Sequence, residues 1–362
     1  MANDRVDDGL RRVEEDEPAR LTPGLPPEIA APLAPFKGAA PASPAWFQDT
    51  IADAPERSFV TVVGARIELL AWGQRGRPGL IFIHGNSAHA DWWSFIAPFF
   101  AETHRIAALS LSGMGASDWR EAYSFDLFAE EIFACAKAAG LYDAPVRPVY
   151  IGHSFGGAQA LTSAVRFPER MSACILVDTG FGGPPTPEEY ERMRAEALAR
   201  GEVLPDWGVR LSQRSGRNRV YPTLEAALAR FRFMPPQVPG NLYIADFIAR
   251  RSLKRVPLSE GEEGSGEGWT WRFDPGLWSK LDRSGLESLD ASGAVTPLVH
   301  VIGDRSEIIR RHSGFEREHD RIPASIPRIV IPDSEHHIMV DQPLALVATL
   351  RSLLTVWAPS VT

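Results

Sequence analysis

Ile151 to Gly157 reads I-G-H-S-F-G-G and contains the pattern G-x-S-x-G. Near the other end of the chain, residues 331–343 read IPDSEHHIMVDQP, with two adjacent histidines. A serine hydroxyl is a weak nucleophile. A histidine within hydrogen-bond reach removes its proton, and a carboxylate orients that histidine. The G-x-S-x-G pattern is short and arises by chance, so its context decides. "PVYIGHS" reads as a strand and "GGAQALTSAVRF" as a helix. A strand–turn–helix elbow of this kind holds the serine in a strained backbone conformation, with its hydroxyl exposed at the end of a sheet. Gly152 and Gly156 remove side chains that would clash in so tight a turn. Ser154 also lies near the positive end of the following helix, which favours developing negative charge. A helix N-cap serine would explain Ser154 on local grounds. Both glycines and the flanking elements favour the nucleophile. No lysine follows Gly157, so a phosphate-binding loop is a weak reading.

The elements that must position such a site alternate along the chain. "FVTVVGARIELLAWG" reads as a hairpin with its turn at Gly64-Ala65. "GLIFIHG" is a short apolar run ending in glycine, as a buried parallel strand should be. A helix pattern follows near 91–101. "RIAALSLSG" is a strand, and "FDLFAEEIFACAKAAG" has helical spacing ending at Gly140. "SACILVDTG" is a strand after the serine's helix. The rhythm breaks after Gly180. Residues 184–290 carry helix-like stretches, a glycine-rich loop "SEGEEGSGEG" and an aromatic patch "GWTWRFDPGLW". Alternation resumes with "PLVHVIG", a helix near 310–320, "PRIVIPD" and a last helix from Pro343. Such alternation implies right-handed crossovers and a mostly parallel sheet with helices on both faces. The organisation expected is a flexible Pro/Ala-rich arm over 1–45, an α/β core over 46–183 and 291–362, and a helical cap over 184–290. Trp46 and Phe47 would pin the arm's end.

Composition narrows the partners. The chain has 362 residues, 44% hydrophobic and 23% charged, which are globular values, and a formal net charge of -8. That charge argues against nucleic acid or an anionic membrane surface as partner. No apolar run approaches the roughly 18 residues needed to span a bilayer. The charged N-terminus lacks an apolar segment of the secretory kind, so a cytoplasmic location is expected. Cys135 and Cys174 are too few for a disulfide framework and fall in apolar patterns, as buried thiols do. Oligomeric state stays open.

With the strand ending in His84-Gly85, the G-H-S-F-G-G elbow, the insertion and the late histidine before Asp341-Gln342-Pro343, the chain resembles the α/β-hydrolase fold superfamily from about residue 59 to 357. The resemblance implies a serine hydrolase that needs no metal or cofactor. It implies an oxyanion hole made by the backbone N–H groups of Asn86 and Phe155. His84 would hold the loop. The catalytic histidine of such proteins lies seven residues before the proline, which is His336, with His337 as the alternative. Epoxide hydrolases and haloalkane dehalogenases of this fold carry aspartate at the nucleophile position, where this chain has Ser154.

The acid is less obvious. Most relatives place it three residues after the glycine ending the seventh strand. Counting from Gly303, that position is Ser306. Asp178, directly after the apolar run "CILV", is one repair; some hydrolases of this superfamily use that site. Glu307, one residue past Ser306, is the alternative, and Asp304 is expected to cap the turn. A strand end is the more rigid platform, which favours Asp178. Trp92, Met114, Trp269 and Trp271 are candidate pocket residues, with His89 at the pocket mouth, Trp119 within reach, and Phe273 and Trp278 in the same ceiling. The aromatics of the insertion could equally form its own small core. The expected reaction is cleavage of an ester or lactone with a partly apolar body, with carbon–carbon or amide hydrolysis as alternatives. A hydrolase-like receptor without catalysis is the rival from another class.

Overall fold

The computed structural model describes residues 25–180, 187–199, 217–257, 266–284, 291, 294–309 and 326–357. In chain order the strands are β1 (Glu56–Val62), β2 (Ala65–Trp72), β3 (Gly79–Ile83), β4 (Arg105–Leu109), β5 (Tyr123–Ser124), β6 (Val149–His153), β7 (Ala173–Val177), β8 (Leu253–Pro257), β9 (Glu267–Trp271), β10 (Leu281–Asp282), β11 (Leu298–Gly303) and β12 (Arg328–Ile331). The helices are α1 (Pro27–Ala30), α2 (Ala45–Ala52), α3 (Phe125–Ala138), α4 (Phe155–Arg166), α5 (Pro187–Ala199), α6 (Leu224–Leu228), α7 (Leu242–Arg251), α8 (Leu277–Lys280), α9 (Ile338–Asp341) and α10 (Pro343–Trp357).

Eight strands form the main sheet in the order β1-β2-β4-β3-β6-β7-β11-β12. β2 runs antiparallel to β1 and β4, and the remaining neighbours are parallel. The central strands are continuous apolar runs because both faces are covered. Leu80 and Phe82 of β3 join one core, with Ile151 of β6, Phe47 of α2 and Leu346 and Leu350 of α10. Ile81 and Ile83 point the other way, into a core with Tyr150, Phe128 and Ile132 of α3 and Leu161 of α4. The expected α/β architecture is the one present.

Local sequence explains the ends of elements. Ser124 Oγ accepts from Leu127 N at 3.2 Å and starts α3; Gly140, at φ 79°, follows its end. β1 and β2 pair through Val62 and Ala65, so the turn is Val63-Gly64, one residue earlier than expected. Both turn residues have positive φ, 44° and 78°, the twist a two-residue hairpin needs.

Several expectations change. The helix expected near 91–101 is two 3₁₀ turns, Ala90–Trp93 and Ala97–Phe100. Pro98 has no N–H to continue an α-helix through this stretch. The insertion is not purely helical. Its aromatic patch begins as β9, which pairs antiparallel with β8 across the glycine-rich loop. The flexible-arm expectation does not describe residues 25–45: Leu33 is buried in the core, and Arg250 Nη2 donates to the Gly38 carbonyl at 2.7 Å. The helix expected near 310–320 lies outside the described residues. Among the described residues no helix is long and apolar enough to cross a membrane.

Candidate active site

β6 ends at His153 and α4 begins at Phe155, leaving Ser154 alone in the turn with φ 54° and ψ -118°. A non-glycine residue there is uncommon and costs on the order of 1–3 kcal/mol, so it persists only where its surroundings impose it. Here Ser154 N donates to the Val177 carbonyl at 3.0 Å, tying the elbow to β7. A Cβ on Gly152 would overlap the Gly156 carbonyl, and a Cβ on Gly156 would overlap the His84 and Ile83 carbonyls. Only glycine permits this approach of α4 to β3 and β6. Ser154 itself remains partly exposed.

β7 ends at Val177, and Asp178 follows at φ 43°, fully buried, with its N–H donating to the Val301 carbonyl at 2.7 Å. The loop after β12 carries His336. His336 Nε2 lies 2.9 Å from Ser154 Oγ, and Nδ1 lies 2.7 Å from Asp178 Oδ1. Both ring nitrogens are therefore engaged, and Glu307, the alternative acid, has no nitrogen of His336 left to hold. Asp178 receives two more donors: Ser306 Oγ to Oδ1 at 2.5 Å, and Gly303 N to Oδ2 at 2.8 Å. Asp304 Oδ1 accepts from Ser334 N at 3.1 Å and so caps a turn.

The His336 loop is held from two sides. His153 Nε2 donates to the His336 carbonyl at 2.9 Å. From the insertion, Gln237 Oε1 accepts from His337 N at 2.9 Å while its Nε2 donates to Asp341 Oδ2 at 3.0 Å. Asp341 also accepts from Glu335 N at 2.9 Å and Gly240 N at 3.0 Å. Burial raises the Asp341 carboxyl above its usual range despite these donors. Gln237 belongs to no sequence motif. Asp341 stood in the Asp-Gln-Pro signature, but its clamp role had no sequence signal.

His84 donates from Nδ1 to the Gly85 carbonyl at 2.7 Å and accepts at Nε2 from Leu111 N at 3.0 Å. Burial pushes its pKa down to about 3, so it is a neutral brace for the loop. That loop lies against the elbow: a Cβ on Gly85 would be 3.3 Å from Ser154 Cβ. The next residue is Asn86. Among the described residues neither Asn86 N–H nor Phe155 N–H donates to a protein acceptor. The Phe155 ring turns away and packs on Phe125, Phe128 and Trp278, leaving its backbone at the elbow.

Trp92 stacks at 6.5 Å on His153 and meets His337 at 5.3 Å. Met114 Sδ accepts from Ser87 N at 3.2 Å, and Met114 bridges to Phe273. Phe233, which the sequence did not single out, packs on both Trp92 and His337, at 5.7 and 5.0 Å. Among the described residues Trp271 reaches this group only through Phe231, at 6.3 Å, and Trp269 lies under the Arg255 guanidinium at 5.2 Å. His89 bonds Ser252 Oγ at 3.0 Å, inside the molecule. Trp119 lines a surface cavity of about 320 Å³ with Lys254 and Arg272; its lining includes neither Ser154 nor His336. Burial pushes both cysteine thiols far up, which makes them inert.

Burial, with the neighbouring His336 second, holds the pKa of His153 and of His337 well below the ordinary histidine value. Both are neutral rings at neutral pH.

An eight-stranded, mostly parallel sheet with a serine elbow after β6 defines an enzyme of the α/β-hydrolase class. A family model described as the alpha/beta hydrolase fold matches residues 78–343, most of the chain, and the chain belongs to that family. It is similar to the esterase Rv0045c of Mycobacterium tuberculosis, 27% identical over 307 residues, 81% of this chain and 88% of that protein. The lipase LipV of the same organism is 35% identical over 107 residues, 30% of this chain and 39% of that one. Among solved structures, the hypothetical protein PA1622 of Pseudomonas aeruginosa PAO1 superposes with a TM-score of 0.60 at 23% identity, covering 84% of this chain and all 100% of that one. That likeness speaks for the fold alone.

Proposed function

We propose that the chain is a serine hydrolase that cleaves a carboxylic ester or lactone through an acyl-enzyme. The observation that carries the reading is the continuous bonded chain Ser154 Oγ–His336–Asp178, at 2.9 and 2.7 Å. Asp178 accepts from Nδ1–H and so fixes the tautomer in which Nε2 carries the lone pair. His336 takes the Ser154 proton as Oγ attacks the acyl carbon. The oxyanion forms toward the Asn86 and Phe155 N–H groups, two donors with no competing protein acceptor among the described residues. One such donor is worth about 3–4 kcal/mol of barrier in other enzymes. His336 then gives its proton to the leaving oxygen, and a water attacks the acyl-enzyme by the same route.

The similarity to an esterase and a lipase favours an ester. Residues 184–290 are read as a cap whose Phe233, packed on Trp92 and His337, faces an apolar acyl or alcohol group. The partner is thus a small molecule with a partly apolar body. The test is a panel of p-nitrophenyl esters of increasing chain length, run beside lactones and an amide, with wild type and Ser154→Ala. Ester or lactone turnover that Ser154→Ala abolishes supports the reading. Turnover of the amide alone moves the activity to amide hydrolysis, and binding without turnover makes the chain a receptor.

A further inference from the structure

One nitrogen of each of His153, His336 and His337 lies within 4.8 Å of one nitrogen of the other two, and all three residues are buried. Buried polar nitrogens nearly always have hydrogen-bond partners. Here His153 Nδ1 and both ring nitrogens of His337 have none among the described residues. Each ring nevertheless has an oxygen facing one nitrogen. His336 Nδ1 meets Asp178 Oδ1, and His153 Nε2 meets the His336 carbonyl. The Met234 carbonyl faces His337 but does not close a proper hydrogen bond. His153 and His337 are each left with a lone-pair nitrogen that has no partner among the described residues, and the lone pair of His336 is the one that meets Ser154 Oγ. Histidines that bind metal have this arrangement: one N–H is given to a carboxylate or a backbone carbonyl, which sets the tautomer and aims the other nitrogen at the ion.

We propose that His153, His336 and His337 form a binding site for a transition-metal ion of the Zn²⁺ type, and that filling it turns the hydrolase off. The binding half stands on the three rings alone; the inhibitory half rests on His336 being the base. Three neutral imidazoles suit zinc, copper or nickel, whereas magnesium and calcium require oxygen ligands. Zinc–nitrogen bonds of about 2.1 Å set tetrahedral ligand nitrogens roughly 3.4 Å apart. The 4.8 Å limit therefore closes by small rotations of the rings. At His336 the ion takes Nε2, the atom now 2.9 Å from Ser154 Oγ. The lone pair that would receive the serine proton is then bound to metal, and Ser154 keeps its proton. Partly exposed Ser154 is the open side of the site, where water or the hydroxyl completes the fourth position.

The test uses the full chain, stripped with EDTA and then titrated with ZnCl₂ in a calorimeter, with ester hydrolysis followed in parallel. Wild type should bind one ion with loss of hydrolysis in the same concentration range, and EDTA should restore it. Co²⁺ should give the intense visible absorption of a low-coordinate nitrogen site. His337→Phe keeps a ring of similar size against Trp92 and Phe233 and should weaken zinc at least about tenfold. Should that variant not fold, His337→Asn replaces it with the same expectation. The site is overturned if wild type binds no zinc, or if the His337 variant binds as tightly as wild type. Zinc bound at full hydrolytic rate overturns the inhibitory half alone. If the chain hydrolyses nothing, calorimetry and the Co²⁺ spectrum still decide the site.

Discussion

Ser306 Oγ donates to Asp178 Oδ1 at 2.5 Å, and that same oxygen receives His336 Nδ1 at 2.7 Å. Ser306 stands where most α/β hydrolases that this chain resembles carry their acid. The two positions converge at that carboxylate oxygen, from the ends of the neighbouring strands β7 and β11, which pair in parallel. On the proposed reading, the serine supports the carboxylate that acts in its place. Asp178→Asn should lower kcat about 10⁴-fold, since an amide favours the wrong tautomer. Ser306→Ala should cost less, up to about tenfold, by removing one of the acid's donors. Adding Ser306→Asp to Asp178→Asn should restore at least tenfold of the lost rate. Steady-state kinetics on the three variants checks this. No recovery in the double variant, with its fold intact by circular dichroism, contradicts the convergence.

Gln237 couples the insertion to the His336 loop, through His337 N and Asp341 Oδ2. Gln237→Ala should let that loop drift. A displacement near 1 Å at a reacting group costs on the order of 10²-fold, so a fall in kcat of about 10- to 100-fold is expected. A rise in KM with kcat unchanged would mean that Gln237 serves substrate binding instead.

Much of the candidate site was legible in the sequence because it is local. The elbow needs two glycines around a serine between a strand and a helix, and those signals sit within Ile151 to Gly157. Asp178 was reachable because it ends an apolar strand run. The support of that acid by Ser306 was not legible: the two residues are 128 apart in sequence and meet only once β7 and β11 pair. Phe233 and Gln237 lay in a stretch without periodicity, and their roles come wholly from tertiary packing. The β8–β9 hairpin was missed for a related reason. Leu253 directly continues the helical pattern of α7, and the partner strand lies beyond a long polar loop.

Gly156→Ala should be severely destabilising. Its Cβ meets main-chain oxygens of Ile83 and His84, which cannot rotate away. A loss on the order of 3–5 kcal/mol, or failure to fold, is expected in urea denaturation. Gly64→Ala, where a Cβ meets nothing within 4 Å, should cost far less; only the positive φ of 78° opposes it. Equal losses at the two positions would count against this account of the elbow.

Stability should fall between pH 7 and pH 5. His84, at about 3 when folded against 6.5 when free, binds its proton in the unfolded chain first. Its contribution is present above pH 6.5 and is lost as pH falls toward 3; by pH 5 the loss is about 2 kcal/mol. His153 and His337 are lowered too and act with the same sign. Buried Glu131 and Asp341, whose carboxyls are raised, oppose it. Their effect lies above 4.5 and 3.8, between the free values and the raised ones, so they offset part of the histidines' loss as pH falls. Urea midpoints at the two pH values measure the difference, and His337→Phe should show a smaller drop than wild type. A midpoint unchanged or higher at pH 5 contradicts the neutral-histidine account.

The central claim is that Ser154 is a nucleophile activated by His336. It is tested most directly by reacting the folded chain with a fluorophosphonate and reading the adduct by intact mass and peptide mapping. The account predicts one adduct, on Ser154, absent in Ser154→Ala and slowed by several orders of magnitude in His336→Ala. An unlabelled Ser154 in folded wild type, under conditions that label a known serine hydrolase, or labelling at the same rate without His336, would contradict it.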